Sequence, residues 1–112
     1  MELVRIEKKD LDSILILEKL LYKDPWNASN FESELAHNDY AYMYVLKEND
    51  VILGYCGFWL SYEYATITKV SINPALQNKG LGYYLFNSVM NIARELGATS
   101  FSLEVRVSNI PA

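Results

Sequence analysis

Hydrophobic and polar positions alternate along this chain in two rhythms, one of period two and one near 3.6. Residues 2–7 (ELVRIE) follow the first and predict an opening strand. Leu11, Ile14, Leu17 and Leu21 follow the second, behind Asp10, a residue type suited to cap a helix, and Asp24-Pro25 ends that helix. Ser29 and Glu32 have the spacing of a capping box, with Phe31 and Leu35 one turn apart, so a second short helix is expected to end near His37. Residues 40–47 and 51–62 are rich in aromatic and β-branched side chains and are joined by Glu48-Asn49-Asp50, which predicts an antiparallel hairpin. Gly54 and Gly57 inside its second strand mark a bend or a place where another backbone or a ligand approaches.

The strand expected over residues 64–72 contains an irregularity. Ala65 and Ile67 share one phase of the alternation and Val70 and Ile72 share the other, so the pattern slips by one residue around Thr68 and Lys69. A β-bulge there reconciles the two halves and turns backbone groups away from the ladder, while fraying before Pro74 is the alternative. From Leu81, the positions Leu85, Val89, Ile92, Ala93 and Leu96 form a helical stripe closed by Gly97. Phe101, Leu103, Val105 and Val107 then alternate with Ser102, Glu104 and Arg106 in a last strand. The order is βααβββαβ, read as a single domain over residues 1–112.

Composition narrows the class. Hydrophobic residues make up 51% and charged residues 21%, as in a globular domain. A net charge of -4 argues against a nucleic-acid partner, because no basic surface offsets phosphate repulsion, and an anionic ligand would have to be held locally. Cys56 is the sole cysteine, the N-terminal MELVRIEKKD lacks the apolar core of a signal peptide, and no apolar run approaches a membrane span, so a cytoplasmic location is expected.

The local anion seat is the turn Gln77-Asn78-Lys79-Gly80-Leu81-Gly82, set between a strand and a helix. Its glycines expose several backbone N–H groups where the helix dipole begins. It is not the dinucleotide fingerprint, which requires glycine at position 85, where Leu85 stands. Nor is it a Walker loop, since Lys79 precedes Gly80 instead of following it. A glycine turn of purely structural use is the alternative. Glu104 lies on the strand face opposite the apolar set, so its carboxylate meets either solvent and a neighbouring cation or a cleft. His37 suits a helix end, and Cys56 suits a small buried position. Tyr40, Tyr42, Tyr44, Tyr62, Tyr64, Tyr83 and Tyr84 suit strand pairing or helix packing, and one or two of them suit a peptide-binding wall. No cluster has metal-ligand spacing, so no metal is expected.

The turn resembles the Gln/Arg-x-x-Gly-x-Gly/Ala loop of the GNAT superfamily of N-acetyltransferases, which holds the pyrophosphate of acetyl-CoA. Leu103-Glu104-Val105-Arg106-Val107-Ser108-Asn109, followed by Ala112, resembles the signature of the ribosomal-protein alanine N-acetyltransferases, as do Asp24-Pro25-Trp26 with Phe31 and Val70-Ser71-Ile72-Asn73-Pro74. The resemblance spans nearly the whole chain. It implies an α/β (α+β) fold with a mixed, mostly antiparallel sheet and helices on both faces, cut before the family's C-terminal helix and hairpin. It also implies acetyl-CoA as cosubstrate, held by Val70, Ser71, Ile72, Asn78, Lys79, Gly80, Leu81, Gly82, Tyr83 and Asn109, with Glu104 as general base.

The implied reaction is acetyl transfer to a protein N-terminal α-amine, with a ribosomal protein as partner. Trp26 is either a packing residue or part of the substrate pocket. Thr68 and Lys69 depart from the hydrophobic-Asn pair common in the family, which bears on acceptor choice. The family's general-acid tyrosine would fall just beyond Ala112, so impaired turnover is expected of this chain, together with an open sheet edge suited to homodimerisation. The alternatives are a small-amine acetyltransferase of the same fold and a non-catalytic acyl-CoA-binding module.

Overall fold

The computed structural model describes residues 1–77 and 79–104. The chain runs through β1 (Glu2–Arg5), α1 (Leu11–Leu21), α2 (Ala28–His37), β2 (Ala41–Glu48), β3 (Val51–Ser61), β4 (Tyr64–Ile72), α3 (Leu81–Glu95) and β5 (Ser100–Leu103). The strands lie side by side in chain order, antiparallel except for the parallel pair β4 and β5. That exception follows from the connection, because α3 carries the chain back across the sheet before β5 begins.

The β2–β3 hairpin closes through Asn49 and Asp50, both at positive φ (52° and 66°), a conformation Asn and Asp tolerate and whose twist suits a two-residue hairpin. Gly54 meets the close backbone approach its position suggests, since a Cβ there would lie 2.6 Å from the Ser71 carbonyl oxygen.

Helices cover both faces. Leu11, Ile14, Leu17 and Leu21 of α1, with Phe31 of α2, pack on Met43, Val45, Ile52 and Tyr55. Leu85, Val89 and Ala93 of α3 pack on Cys56, Phe58, Ala65, Ile67 and Ile72. Each buried Leu, Ile, Val, Phe or Met among them contributes about 1.5–3 kcal/mol, so the two cores hold the sheet from either side.

Three local expectations are corrected. Asp10 stands at the start of α1 without capping it. Its carboxylate instead accepts from the Glu7 N–H at 2.8 Å and pairs with Lys47 at 2.7 Å. The capping box of α2 is Asn27 and Asn30, whose side chains accept from each other's N–H at 2.9 Å, because this pair has the same spacing as Ser29 and Glu32 two residues earlier and asparagine caps at least as well. Phe101 packs on the α3 layer as its phase requires, but Leu103 is 60% exposed because no element among the described residues lies over it. Val105 and Val107, expected in the same strand, lie outside the described residues.

Candidate functional site

The phase slip in β4 is a bulge at Thr68. Gly57 pairs with Lys69 and the next residue, Phe58, pairs with Ile67, so two steps along β4 answer one along β3. The extra residue keeps Ala65 and Ile67 on the α3 side before it and Val70 and Ile72 on that side after it. Lys69 and Ser71 consequently face α1 and α2.

The bulge also redirects the backbone. The Asn73 N–H donates to the Leu53 carbonyl at 2.9 Å, so the antiparallel ladder turns Lys69, Ser71 and Asn73 toward β3 and the N–H groups of Val70 and Ile72 away from it. On that far side β5 pairs with Tyr64 to Ile67 and ends with the Glu104 N–H donating to the Ile67 carbonyl at 2.9 Å. Among the described residues, nothing pairs with β4 beyond that point. A ligand arm can therefore lie along Val70 and Ile72 as a strand would.

This edge leads to the N-terminus of α3. Gly80 caps that helix at φ 78°, a left-handed conformation that glycine adopts without strain. The Tyr84 N–H closes the first turn on the Gly80 carbonyl at 3.0 Å. Ahead of it, the N–H groups of Leu81, Gly82 and Tyr83 have no acceptor among the described residues. Gly82 faces Ile72, where a Cβ would sit 3.8 Å from Cγ1, so the helix start lies beside the end of β4. Lys79 is exposed next to it. These amides, the positive end of the helix dipole and the lysine fit a diphosphate. Ser71 offers the β4 edge neither its side chain nor its backbone polar groups, because its hydroxyl is buried against the Tyr22 hydroxyl at 2.6 Å and its N–H and carbonyl turn toward β3. Asn78 and Asn109 lie outside the described residues.

At the other end of the split, a cavity of about 170 Å³ opens on the α1/α2 side of the sheet. Glu104 lines it, as do Trp26, Glu34, Met43, Trp59, Thr68 and Lys69. Glu34 is held from two sides, with Trp59 Nε1 donating at 2.6 Å and Asn38 Nδ2 at 3.1 Å. Trp26 packs edge-on against Phe31 at 5.0 Å and also lines the cavity.

Beneath the cavity lies a polar network that the sequence reading missed. Glu18 is fully buried, and its carboxylate accepts from Lys69 Nζ at 2.9 Å, the Tyr55 hydroxyl at 2.5 Å and the Trp26 N–H at 2.9 Å. The Lys69 ammonium lies 4.2 Å from the Trp26 ring centroid and 5.1 Å from that of Phe31, within reach of cation–π attraction. Burial, and then donation to Glu18, push the Tyr55 hydroxyl well above its ordinary pKa of 10.0. A signal was present: Glu18 interrupts the apolar stripe of α1 one turn after Ile14, where a charge requires a partner.

His37 ends α2. Cys56 is buried, and desolvation pushes its thiol up to about 12, so it is inert at neutral pH. Among the described residues no three His, Cys, Asp or Glu side chains are grouped to hold a metal, and no helix is long and apolar enough to cross a membrane.

Residues 11–112 match the model of the Acetyltransferase (GNAT) family. A Bacillus subtilis (strain 168) protein, named provisionally as a ribosomal protein bS18-alanine N-acetyltransferase, is 38% identical over 104 residues, which are 93% of this chain and 69% of that relative. The crystal structure of the ribosomal-protein-S18-alanine N-acetyltransferase from Escherichia coli superposes with a TM-score of 0.82 at 23% identity, covering 96% of this chain and 68% of that one. The PaiA N-acetyltransferase of Thermoplasma acidophilum, solved in complex with coenzyme A, superposes with a TM-score of 0.69 at 14% identity, covering 91% of this chain and 77% of that one. The bulged strand and the glycine-capped helix thus occur in a chain whose sequence matches the family over most of its length, and the chain belongs to the Acetyltransferase (GNAT) family of N-acetyltransferases, enzymes that use acetyl-CoA.

Proposed function

We propose that this chain transfers acetyl from acetyl-CoA to the α-amino group of a protein N-terminus, with a ribosomal protein beginning in alanine as the acceptor. The observation that carries this reading is the edge of β4 beyond Thr68, which no described residue pairs with and which runs from the glycine-capped start of α3 toward the cavity lined by Glu104. The names of the relatives support the acceptor class.

Acetyl-CoA supplies an activated acetyl thioester. The amides of Leu81, Gly82 and Tyr83, with Lys79, hold its diphosphate, and the backbone of Val70 and Ile72 aligns its arm. The Val70 N–H is turned out of the sheet and stabilises negative charge on the thioester oxygen as the amine attacks. Glu104 takes the proton the amine must lose, directly or through a water. A new C–N bond then replaces the C–S bond, and the thiolate departs to be protonated.

A single carboxylate suits an α-amine, whose ordinary pKa is about 7.7–8.0, better than a lysine at about 10.4, which costs roughly 3 kcal/mol more to neutralise at pH 7. A small polyamine is the second reading, favoured by Glu34 standing beside Glu104 in the same cavity. Thiol release from acetyl-CoA, followed with an alanine-initiated peptide, a blocked peptide carrying one lysine, and spermidine, separates them. Turnover on the first that falls by about 10²–10⁴-fold in Glu104→Gln, with acetyl-CoA affinity unchanged, is the expected result. Turnover on spermidine alone overturns the α-amine reading, and an unaffected Glu104→Gln removes the base.

A further inference from the structure

A second concavity, of about 270 Å³, lies on the same face of the sheet, lined by Asn38, Tyr40, Trp59, Ser61, Tyr64 and Thr66. It adjoins the cavity of Glu104, because Trp59 lines both. The ladder accounts for this. Trp59 pairs with Thr66 and Ser61 with Tyr64, so these four side chains share the face that carries Lys69 on the other side of the bulge. Ser102 bonds to Thr66 at 3.2 Å on this face, and Glu104 follows two residues later on the same side of β5. Nothing assigned to the acetyl-CoA site uses this groove.

We propose that the groove holds the acceptor polypeptide just beyond its acetylated residue, so that the chain leaves the cavity over Trp59 and lies extended between Tyr40 and Tyr64. The inference rests on the α-amine reading. Its chemistry matches a backbone rather than a phosphate chain or a charged amine, since no lining residue carries a charge, and the amide of Asn38 and the hydroxyls of Ser61 and Thr66 lie among the three aromatic rings. Tyrosine and tryptophan offer broad contact with little rotamer entropy to lose. Tyr40 is 57% exposed and Tyr64 49%, aromatic surface that no described residue covers.

Trp59 is also fixed in place. Its indole N–H is tied to Glu34 at 2.6 Å, and Glu34 is tied in turn to Asn38, so the divider between cavity and groove is anchored from α2. From Thr66 to Tyr64 the wall is two strand residues long, about 7 Å, which accommodates about two extended acceptor residues. The groove therefore reads the second and third residues of the acceptor and nothing further.

The test compares kcat/KM for alaninamide, an alanine-initiated tripeptide amide and a hexapeptide amide. Wild type is expected to gain about tenfold from the first to the second and little from the second to the third, a step typical of burying an aromatic contact. Tyr40→Ser and Tyr64→Thr should each lose most of that gain while acetylating alaninamide as before. Tyr62→Asn, which removes the 93% exposed ring of the β3–β4 turn outside the groove, should keep it. The proposal falls if the gain is absent in wild type, if it survives in both groove variants, or if those variants lose alaninamide and tripeptide activity alike. It also falls if they only convert a dimer to a monomer in sedimentation, which would make the groove a contact between copies. If wild type acetylates none of the three acceptors, the α-amine reading fails first; if it acetylates them without groove dependence, the groove fails alone.

Discussion

Removing one member of the buried Glu18–Lys69 pair should harm the fold more than removing both charges. Glu18 is 0% and Lys69 2% exposed, with 2.9 Å between Nζ and Oε2. Lys69→Met keeps much of the side-chain volume against Trp26 and Phe31 but leaves a buried carboxylate without this cation, at a cost of about 3–5 kcal/mol. Against a domain stability of about 5–15 kcal/mol, that is a large share. Glu18→Gln removes this carboxylate from the Lys69 ammonium in the same way, yet it keeps an oxygen that can accept from the Trp26 N–H or the Tyr55 hydroxyl, so those donors are not both orphaned. The double variant Glu18→Gln/Lys69→Met carries neither charge and should recover to within about 2 kcal/mol of wild type, giving a coupling energy of several kcal/mol. Urea unfolding followed by far-UV circular dichroism, with midpoints compared at constant slope, measures all four corners. Single variants that each cost less than about 1 kcal/mol, or a double that equals their sum within about 0.5 kcal/mol, would refute the pair as a coupled element.

The phosphate seat has its own test. Gly82→Val introduces a Cβ that meets only Ile72 at an ordinary 3.8 Å, so stability should change by less than about 1 kcal/mol. Its branches would enter the space before the helix N-terminus, and calorimetry should show acetyl-CoA binding weakened at least about tenfold. Unchanged affinity would place the diphosphate elsewhere. Alkaline stability follows from Cys56 and Tyr55. Both hold their protons more tightly when folded, Cys56 with its ordinary value of 9.0 raised to about 12 and Tyr55 raised from 10.0, so their contribution is whole below pH 9 and is lost as pH climbs toward 12. The urea midpoint should decline across that window, and Cys56 in the folded protein should resist a thiol reagent at pH 8.

How far the residues alone foretold this depends on the distance over which each feature is decided. The hairpin through Asn49-Asp50 and the bulge at Thr68 are decided by a few consecutive residues, so a turn dipeptide and a phase slip reveal them. The capping box of α2 is equally local, yet Asn27/Asn30 and Ser29/Glu32 compete at one spacing and the pattern does not rank them. Glu18 and Lys69 stand 51 residues apart, and neither names the other until the sheet and α1 are packed. The groove beside Trp59 is further out of reach. It depends on which rings of β3 and β4 share a face across the ladder, and nine tyrosines in the sequence offer too many candidates.

The buried network and the split sheet have one origin. Had β4 alternated regularly through Thr68 with no bulge, the α3 face would have received Lys69 and Ser71 where it now receives Val70 and Ile72. Thr68 shifts the alternation, keeps apolar side chains on α3 at both ends of the strand, and rotates the Val70 and Ile72 amides into the open edge. The same rotation drives a lysine and a serine into the opposite core, where each requires a polar partner. Glu18 of α1 and Tyr22 just beyond that helix supply them, at 2.9 Å and 2.6 Å. On the proposed reading, stability and cosubstrate alignment are thereby linked through one strand. A variant that frees Lys69 from Glu18 should loosen the bulge and raise the KM for acetyl-CoA along with the cost to folding, whereas Gly82→Val should raise that KM alone.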